Sequence, residues 1–164
     1  MKRGHTADSY LRKIDKIKAS KRDISLTTDI IVGFPGETER DFKETVKLVE
    51  YCGYDGAYIF KYSPRPGTPA FEMDDDVTPG EKTLRFLELE SVQRKTQDAL
   101  LKRYIGRSVS VLAEKTSAKS DRHLSGHSTC HKVVNFEARQ DGLGSIHDVK
   151  ITDVKSNSLF GEVC

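Results

Sequence analysis

Residues 28–38, TDIIVGFPGET, are the most constraining segment of this 164-residue chain, because a strand pattern runs directly into a glycine-containing turn. The stretch from Leu26 to Val32 is aliphatic and β-branched with little alternation, which is typical of a parallel strand covered on both faces. Gly33 and Gly36 permit backbone angles and close approaches that a Cβ would forbid. The segment therefore predicts an α/β unit whose turn lies at the carboxyl end of a strand.

A helix start follows this turn. Thr38 is a favourable N-cap residue, and Asp41 stands three residues later in a capping-box position. Ligands of parallel α/β folds bind at the carboxyl ends of strands, but a tight βα connection that binds nothing would show the same pattern. Glu37 also has two interpretations. It caps the amides of the next helix, whose dipole favours a negative charge, or it accepts hydrogen bonds from a ribose or an amino group of a ligand.

The first part of the chain alternates helical and buried-strand patterns, so we expect parallel strands joined by right-handed crossovers. Two or three strands are fewer than an α/β barrel or open sheet normally has, and Met1 directly precedes a compact turn and a helix cap, so we expect the end of a larger enzyme domain. The predicted elements begin with a helix capped by Thr6 that carries Tyr10, Leu11, Ile14 and Ile17, a strand Leu26–Val32, a helix Glu39–Cys52 and a strand Ala57–Tyr62. A loop over residues 63–77 follows. The last predicted element is a helix from Thr78 to about Tyr104, with an apolar stripe of Leu84, Leu87, Val92, Ala99 and Leu100.

Beyond a composition shift near Tyr104, short strand patterns are separated by Gly, Ser and Asp. About five short strands in residues 105–164 predict a small β-barrel similar to an OB-fold. The predicted strands are Ser108–Ala113, Leu124–Gly126, Lys132–Phe136, Ile146–Ile151 and Leu159–Val163.

The proline-rich loop YSPRPGTPA, residues 62–70, follows the second predicted strand at the same edge as the glycine turn. Arg65 stands between two prolines, which reduces the backbone entropy lost when its side chain is presented to a ligand. Its guanidinium suits a carboxylate or a phosphate, with bidentate geometry available. The alternative is a surface arginine that pairs with Asp74, Asp75 or Asp76.

Positive charge clusters between Lys115 and Lys132, where four Lys/Arg residues stand against one acid. On a small β-barrel this cluster favours binding to a nucleic-acid backbone, although a solvated loop face would have the same composition. Phe136 offers a ring either to a base or to the core. Histidines recur at 123, 127 and 131, but the serines, glycine and threonine between them disfavour a helix, and no Cys or acid completes a familiar metal site.

Composition limits the class of protein further. The chain has 36% hydrophobic and 32% charged residues, as in a globular protein, and its net charge of +2 is too small to argue for nucleic acid by itself. No apolar run approaches the roughly 18 residues that span a bilayer, and no apolar region follows the first residues, so we expect neither a membrane span nor a signal peptide. Three widely spaced cysteines favour a reducing cytoplasm over a disulfide framework or a metal site.

Four segments in this order resemble the radical-SAM methylthiotransferases: MKRGHT at residues 1–6, TDIIVGFPGET at 28–38, YSPRPGTPA at 62–70 and KVVNF at 132–136. The resemblance covers essentially the whole chain, and the YSPRPGTPA loop favours the branch that modifies tRNA. It implies an α/β fold in which residues 1–104 are the C-terminal part of a radical-SAM (β/α) partial barrel. Residues 105–164 would be a TRAM domain, the small OB-like β-barrel that holds RNA.

The resemblance also implies cofactors, partners and site residues. The cofactors are S-adenosylmethionine and, in the parent protein, two [4Fe–4S] clusters whose ligands are not in this chain; it assigns no catalytic residue and no metal site here. The partner is tRNA at its anticodon stem-loop, and no membrane or protein partner is inferred. The implied cofactor-binding residues are Arg3, Gly33, Phe34, Pro35, Gly36 and Glu37, and the implied substrate-binding residues are Arg65, Lys115, Arg122, Lys132 and Asn135.

The family's reaction adds a sulfur and a methyl group to C2 of an isopentenylated adenine beside the anticodon. Because the cluster ligands are absent, we expect the isolated chain to be inactive. The family often has Gly-Arg-Thr, and an Asn before KVVNF; here Gly126-His127-Ser128 and His131 stand at those positions. Because a histidine is mostly neutral at pH 7, the lysines and arginines Lys115, Arg122 and Lys132 are the better candidates for phosphate contacts. Two rival interpretations are a stand-alone RNA-binding module and a methylthiotransferase that acts on threonylcarbamoyl-adenosine or on a ribosomal protein.

Overall fold

The computed structural model describes residues 4–20, 22–117, 120–155 and 157–164. The chain forms two compact units, residues 1–96 and 97–164. The predicted order, an α/β part followed by a small all-β barrel, is confirmed. The domain boundary between residues 104 and 105 stays a prediction. No helix in the described ranges is both long enough and apolar enough to cross a membrane.

The first unit is built on two parallel strands, as predicted from the α-β-α-β order. Strand β1, Thr27–Val32, and strand β2, Gly56–Lys61, pair from Thr27 opposite Gly56 to Val32 opposite Lys61, so both strands end at the same edge. The elements are α1 Ala7–Lys18, β1 Thr27–Val32, α2 Glu39–Cys52, β2 Gly56–Lys61, a short 3-10 helix Pro69–Glu72, and α3 Pro79–Lys102, which continues into the second unit.

The three α-helices α1, α2 and α3 begin at the threonine N-caps that the sequence predicts. The N-cap side chain of Thr6 accepts a hydrogen bond from Ser9 N–H, and that of Thr38 accepts one from Asp41 N–H. Thr78 accepts one from Glu81 N–H in the same way. The apolar core that these helices share with the strands includes Ile14, Val32, Phe42, Val49 and Leu89.

The predicted apolar stripe of α3 is wrong in its first turns and at Ala99, which is exposed. Leu84 is 69% exposed and Leu87 is 52% exposed. The face that is buried instead carries Lys82, Arg85 and Leu89, followed by Gln93. Two cations can be buried there because each has an acidic partner, as described below, so charge pairing rather than apolar periodicity orients this part of the helix.

The second unit is a closed barrel of five strands. All five predicted strands are present, and the weakest prediction, around Leu124, is a full strand. The side chain of Phe136 is fully buried in the barrel core, so the core interpretation of this ring is correct. The strands are β3 Ser108–Ser117, β4 Ser120–Ser128, β5 Val133–Glu137, β6 Ile146–Lys155 and β7 Ser158–Val163. They pair around the barrel in the order β3-β4-β5-β7-β6.

Candidate functional site

The glycine turn at the end of β1 is held by carboxylates of the same unit. Gly33 and Gly36 have φ of +69° and +78°, in the left-handed region that favours glycine. Gly33 N–H donates a hydrogen bond to Glu37 Oε2 at 2.7 Å, and Gly36 N–H donates one to Asp76 Oδ1 at 2.7 Å. Two amides of the turn are therefore occupied before any ligand arrives.

A buried ion pair fixes Glu37. Arg85 Nη1 lies 2.8 Å from Glu37 Oε2 and also donates to the Glu37 carbonyl at 3.0 Å. The two side chains are only 8% and 12% exposed. The amides of α2 are capped by Thr38 instead, and the hydrogen bonds from Thr38 hold the pKa of Asp41 below its ordinary value. Glu37 thus braces the turn from inside rather than capping the helix that follows it.

Lys82 makes a second buried contact beneath the turn. Its Nζ lies 2.6 and 2.7 Å from the two carboxylate oxygens of Asp75, and its side chain is 8% exposed. A Cβ on Gly33 would lie 2.4 Å from Lys82 Cγ, which is closer than carbon atoms can approach. The Lys82 ammonium also lies 5.2 Å from the centre of the Tyr62 ring, within cation–π range. Glycine is therefore required at position 33 both for its φ and for its missing Cβ.

A cavity of about 840 Å³ opens between this turn and the proline-rich loop. Its size falls in the range of small-molecule and cofactor sites. The rings of Phe34 and Tyr62 meet edge to face with centroids 5.1 Å apart, and the Tyr62 hydroxyl donates to the Ala70 carbonyl at 2.8 Å. The lining combines apolar and aromatic side chains with two cations, and includes Ile31, Phe34, Phe60, Lys61, Tyr62, Arg65 and Met73.

The sequence YSPRPGTPA explains how Arg65 reaches this cavity. Thr68 N–H donates to the Arg65 carbonyl at 3.2 Å, and Gly67 has a φ of +80°, so Pro66 and Gly67 form the centre of a β-turn. The Arg65 side chain is exposed. Within the described ranges no acid forms an ion pair with Arg65, whereas Asp75 and Asp76 are engaged by Lys82 and by the glycine turn. Its guanidinium is thus available to an anionic ligand.

The cavity fits a nucleoside-sized cofactor with an acidic group. Aromatic rings and a methionine provide surface for a base, and Arg65 provides a cation at the rim. An iron–sulfur cluster, by contrast, does not fit the residues present. Cys52 is buried in the first unit, Cys130 and Cys164 belong to the second, and no group of three His, Cys, Asp or Glu in the described part of the chain could hold a metal.

The structure brings together only some of the cofactor-binding residues predicted from the sequence. Phe34 lines the cavity, while Gly33 and Pro35 are buried and do not line it. Gly36 is exposed, and the Glu37 carboxylate is directed to Arg85 and Gly33. Arg3 lies outside the described residues. The cofactor assignments for these positions remain predictions.

The predicted RNA contacts on the barrel differ in accessibility. Lys115 is exposed on β3, and Asn135 is half-buried on β5. The Lys132 side chain is only 8% exposed, so a direct contact with phosphate is less favourable there than the sequence suggests. Arg122 lies in β4 by its backbone, but its side chain lies outside what the structure describes. Lys115 is therefore the strongest of the four positions for a phosphate contact.

Sequence reasoning missed Lys82 and Arg85, the two cations that fix the glycine turn from α3. The available signal was a pair of basic residues three apart, directly after the Thr78 cap and an acidic run. Nothing local links Arg85 to Glu37, which lies 48 residues earlier in the chain. Such a pair emerges only when the fold brings α3 against the end of β1.

Comparison with known proteins identifies two domain families along the chain. Residues 102–164 match the TRAM domain, and residues 1–49 match the Radical SAM superfamily. Relatives of this chain carry the name tRNA-2-methylthio-N(6)-dimethylallyladenosine synthase. The relative from Haemophilus influenzae (strain PittEE) is 44% identical over 163 residues, which are 99% of this chain and 34% of the relative. That from Alteromonas mediterranea is 47% identical over 165 residues, with the same coverage. That from Erwinia tasmaniensis is 44% identical over 161 residues, 98% of this chain and 34% of the relative. The chain therefore spans about a third of the length of the curated relatives it matches.

Proposed function

We propose that this chain is part of a radical-SAM methylthiotransferase that modifies tRNA, because 98–99% of its residues align with synthases of that kind and its two parts match the Radical SAM superfamily and the TRAM domain. The proposed reaction adds a methylthio group to C2 of N6-dimethylallyladenosine in the anticodon stem-loop. The observation that carries the proposal is the identity of 44–47% to synthases of this name across both units. Because the substrate is tRNA, we place the reaction in the cytoplasm.

In this proposal the cavity of the first unit holds S-adenosylmethionine. Phe34 and Tyr62 would offer aromatic surface to the adenine, and Arg65 would bind the carboxylate. When bound, this cofactor supplies the radical chemistry and the methyl group of the family's reaction. The buried pair of Glu37 and Arg85 keeps the turn beneath Phe34 in one conformation, which reduces the ordering cost of binding.

Two [4Fe–4S] clusters are proposed for the intact enzyme on the strength of the family alone. The cysteines of this chain do not form a site for either cluster, so their ligands would be supplied outside residues 1–164. The contribution of this chain is to bind and orient the cofactor and the RNA.

The barrel would bind the sugar–phosphate backbone of the RNA. Lys115 is exposed and carries a permanent positive charge, so it is the side chain we assign to a phosphate. About three such contacts to single-stranded RNA would give a slope of roughly −2 when the logarithm of affinity is plotted against that of salt concentration. Replacing Lys115 by alanine should reduce this slope by about 0.7, while Lys155→Ala, on another strand, serves as a control for charge.

Deletion of the gene tests the proposed reaction. Mass spectrometry of tRNA nucleosides should show loss of 2-methylthio-N6-dimethylallyladenosine and accumulation of N6-dimethylallyladenosine, and the gene supplied in trans should reverse both changes. Unchanged methylthio-nucleosides would refute the proposal. Loss of a methylthio group from threonylcarbamoyl-adenosine, with the dimethylallyl nucleoside intact, would retain the chemistry but assign a different substrate.

A further inference from the structure

The hairpin that joins β4 to β5 contains a residue in an unfavourable backbone conformation. Ser128 N–H donates to the Lys132 carbonyl at 2.9 Å, and His131 N–H donates to the Ser128 carbonyl at 2.8 Å, which closes a three-residue loop. His131 has a φ of +60°, and in the described ranges it is the one non-glycine residue with positive φ. Glycine or asparagine adopts this conformation more readily. A residue held in such an unfavourable conformation points to a functional role for its side chain.

The ring of His131 stacks on that of His127. Their centroids are 4.5 Å apart and their planes differ by 14°. His127 is held in turn by Glu114, whose Oε2 lies 2.6 Å from His127 Nδ1. Because a carboxylate only accepts, Nδ1 carries the hydrogen of this bond. The two imidazoles therefore form a nearly parallel pair with one ring fixed by the barrel wall and the other, His131, exposed at its edge.

The pair continues into an exposed aliphatic row on the outside of the barrel. His127 lies directly opposite Leu112 on β3, and Leu112 lies directly opposite Ile146 on β6. Directly opposed residues of neighbouring strands project from the same face of a sheet. Leu112 is 43% exposed and Ile146 is 72% exposed, so this row does not belong to the barrel core. We call the surface formed by His131, His127, Leu112 and Ile146 the histidine platform.

We propose that the histidine platform is a stacking site for an unpaired purine base of the RNA bound by the barrel. Parallel imidazoles present a flat π-face that a third ring extends at the same spacing, and single-stranded bases stack on histidine as on other aromatic residues. The exposed Lys115 follows Glu114 along β3, where it provides a charge for the adjoining phosphate. This inference rests on the proposed RNA-binding function of the barrel and adds the base contact to it.

The test uses the full 164-residue chain and a short single-stranded oligoadenylate that contains one 2-aminopurine, whose fluorescence falls on stacking. His131→Asn keeps a residue that favours positive φ but removes the ring, so it should fold at least as stably. We expect binding to weaken by about tenfold and the fluorescence quenching to be lost, since one stacked base contributes about 5- to 150-fold in affinity. His131→Phe, which keeps an aromatic ring at this position, should retain both the affinity and the fluorescence quenching. His5→Asn, which removes an exposed histidine stacked on Tyr10 outside the barrel, should change neither.

The outcomes separate this inference from the proposed function. If wild-type protein binds the oligonucleotide with a salt-dependent affinity that His131→Asn leaves unchanged, with quenching also unchanged, the stacking proposal is wrong while RNA binding by the barrel stands. If the wild-type chain binds no RNA even at low salt, both are wrong. If His131→Asn leaves RNA binding intact but abolishes self-association in sedimentation, the histidine platform is a protein interface and the proposal is overturned.

Discussion

Replacing Gly33 by alanine should destabilise the first unit by about 2–5 kcal/mol, through two effects that the structure separates. The first is conformational: at a φ of +69° an L-residue loses about 1–2 kcal/mol relative to glycine. The second is steric, because the new Cβ would lie 2.4 Å from Lys82 Cγ. Lys82 cannot swing away at little cost, since its ammonium is anchored on Asp75 and its side chain is buried. Overpacking of this kind costs about 1–3 kcal/mol.

Gly36 provides the matched control for this substitution. Its φ of +78° imposes the same conformational penalty, but nothing lies within 4 Å of its potential Cβ. Gly36→Ala should therefore cost only the conformational part, about 1–2 kcal/mol. Urea unfolding followed by tyrosine fluorescence and far-UV circular dichroism, on both variants under identical conditions, measures the difference between the two free energies of unfolding.

A double-mutant cycle identifies the origin of the difference. Lys82→Ala should be destabilising alone, because it leaves Asp75 unpaired, but in the Gly33→Ala background it also removes the clash. The two effects should therefore be strongly non-additive. If Gly33→Ala proves no more destabilising than Gly36→Ala, or if the cycle is additive, then Lys82 does not confine the turn and the account of the site is wrong.

Three further substitutions test other parts of the structure. Arg85→Met should cost about 3–5 kcal/mol because it leaves a buried carboxylate without its cation, whereas Arg94→Ala, which removes a side chain that is 70% exposed, should cost under about 1 kcal/mol in the same urea titration. Thr38→Ala should remove the side-chain hydrogen bond that is the largest cause of the lowered pKa of Asp41, while the bond from the backbone N–H of residue 38 remains. That lowered pKa contributes stability above the ordinary value of 3.8 and loses it as pH falls through the native value, so the variant should show a smaller loss of stability between neutral and acidic pH. Gly126→Ala should prevent closure of the barrel, because its Cβ would lie 1.7 Å from a main-chain oxygen of β3; an unperturbed circular-dichroism melt would contradict this.

Helix starts and strands were predictable because the chemistry that sets them is local. The three threonine caps and the glycine turn need only residues three or four positions apart, and helix Glu39–Cys52 was predicted with its observed ends. The orientation of α3 was not predictable in this way. Its apolar residues Leu84 and Leu87 suggest a buried stripe, yet partners distant in sequence, such as Glu37 for Arg85, place the cations inside. Apolar periodicity fails where a buried face is stabilised by charge pairs.

The accessibility of the barrel lysines was also not predictable from the local sequence. Charge clustering in the sequence treats Lys115 and Lys132 alike, but the closed barrel leaves the first exposed and the second buried. Position relative to the β4–β5 hairpin decides this difference, and it depends on strand pairing rather than on composition. The positive φ of His131 likewise depends on this hairpin, because hydrogen bonds between Ser128, His131 and Lys132 close its loop.

The two walls of the candidate cofactor cavity differ in how firmly the chain holds them. On one side, the turn beneath Phe34 is fixed by Glu37 with Arg85 and by the packing of Lys82 against Gly33. On the other, the loop around Arg65 is exposed and is stiffened by its prolines and one β-turn rather than by buried ion pairs. A rigid wall lowers the ordering cost of binding, while an exposed cation remains free to adjust to the charged end of the ligand. The buried charges at α3 therefore determine the position of the glycine turn, and the proline-rich loop holds the exposed cation Arg65, which we propose binds the anionic end of the ligand.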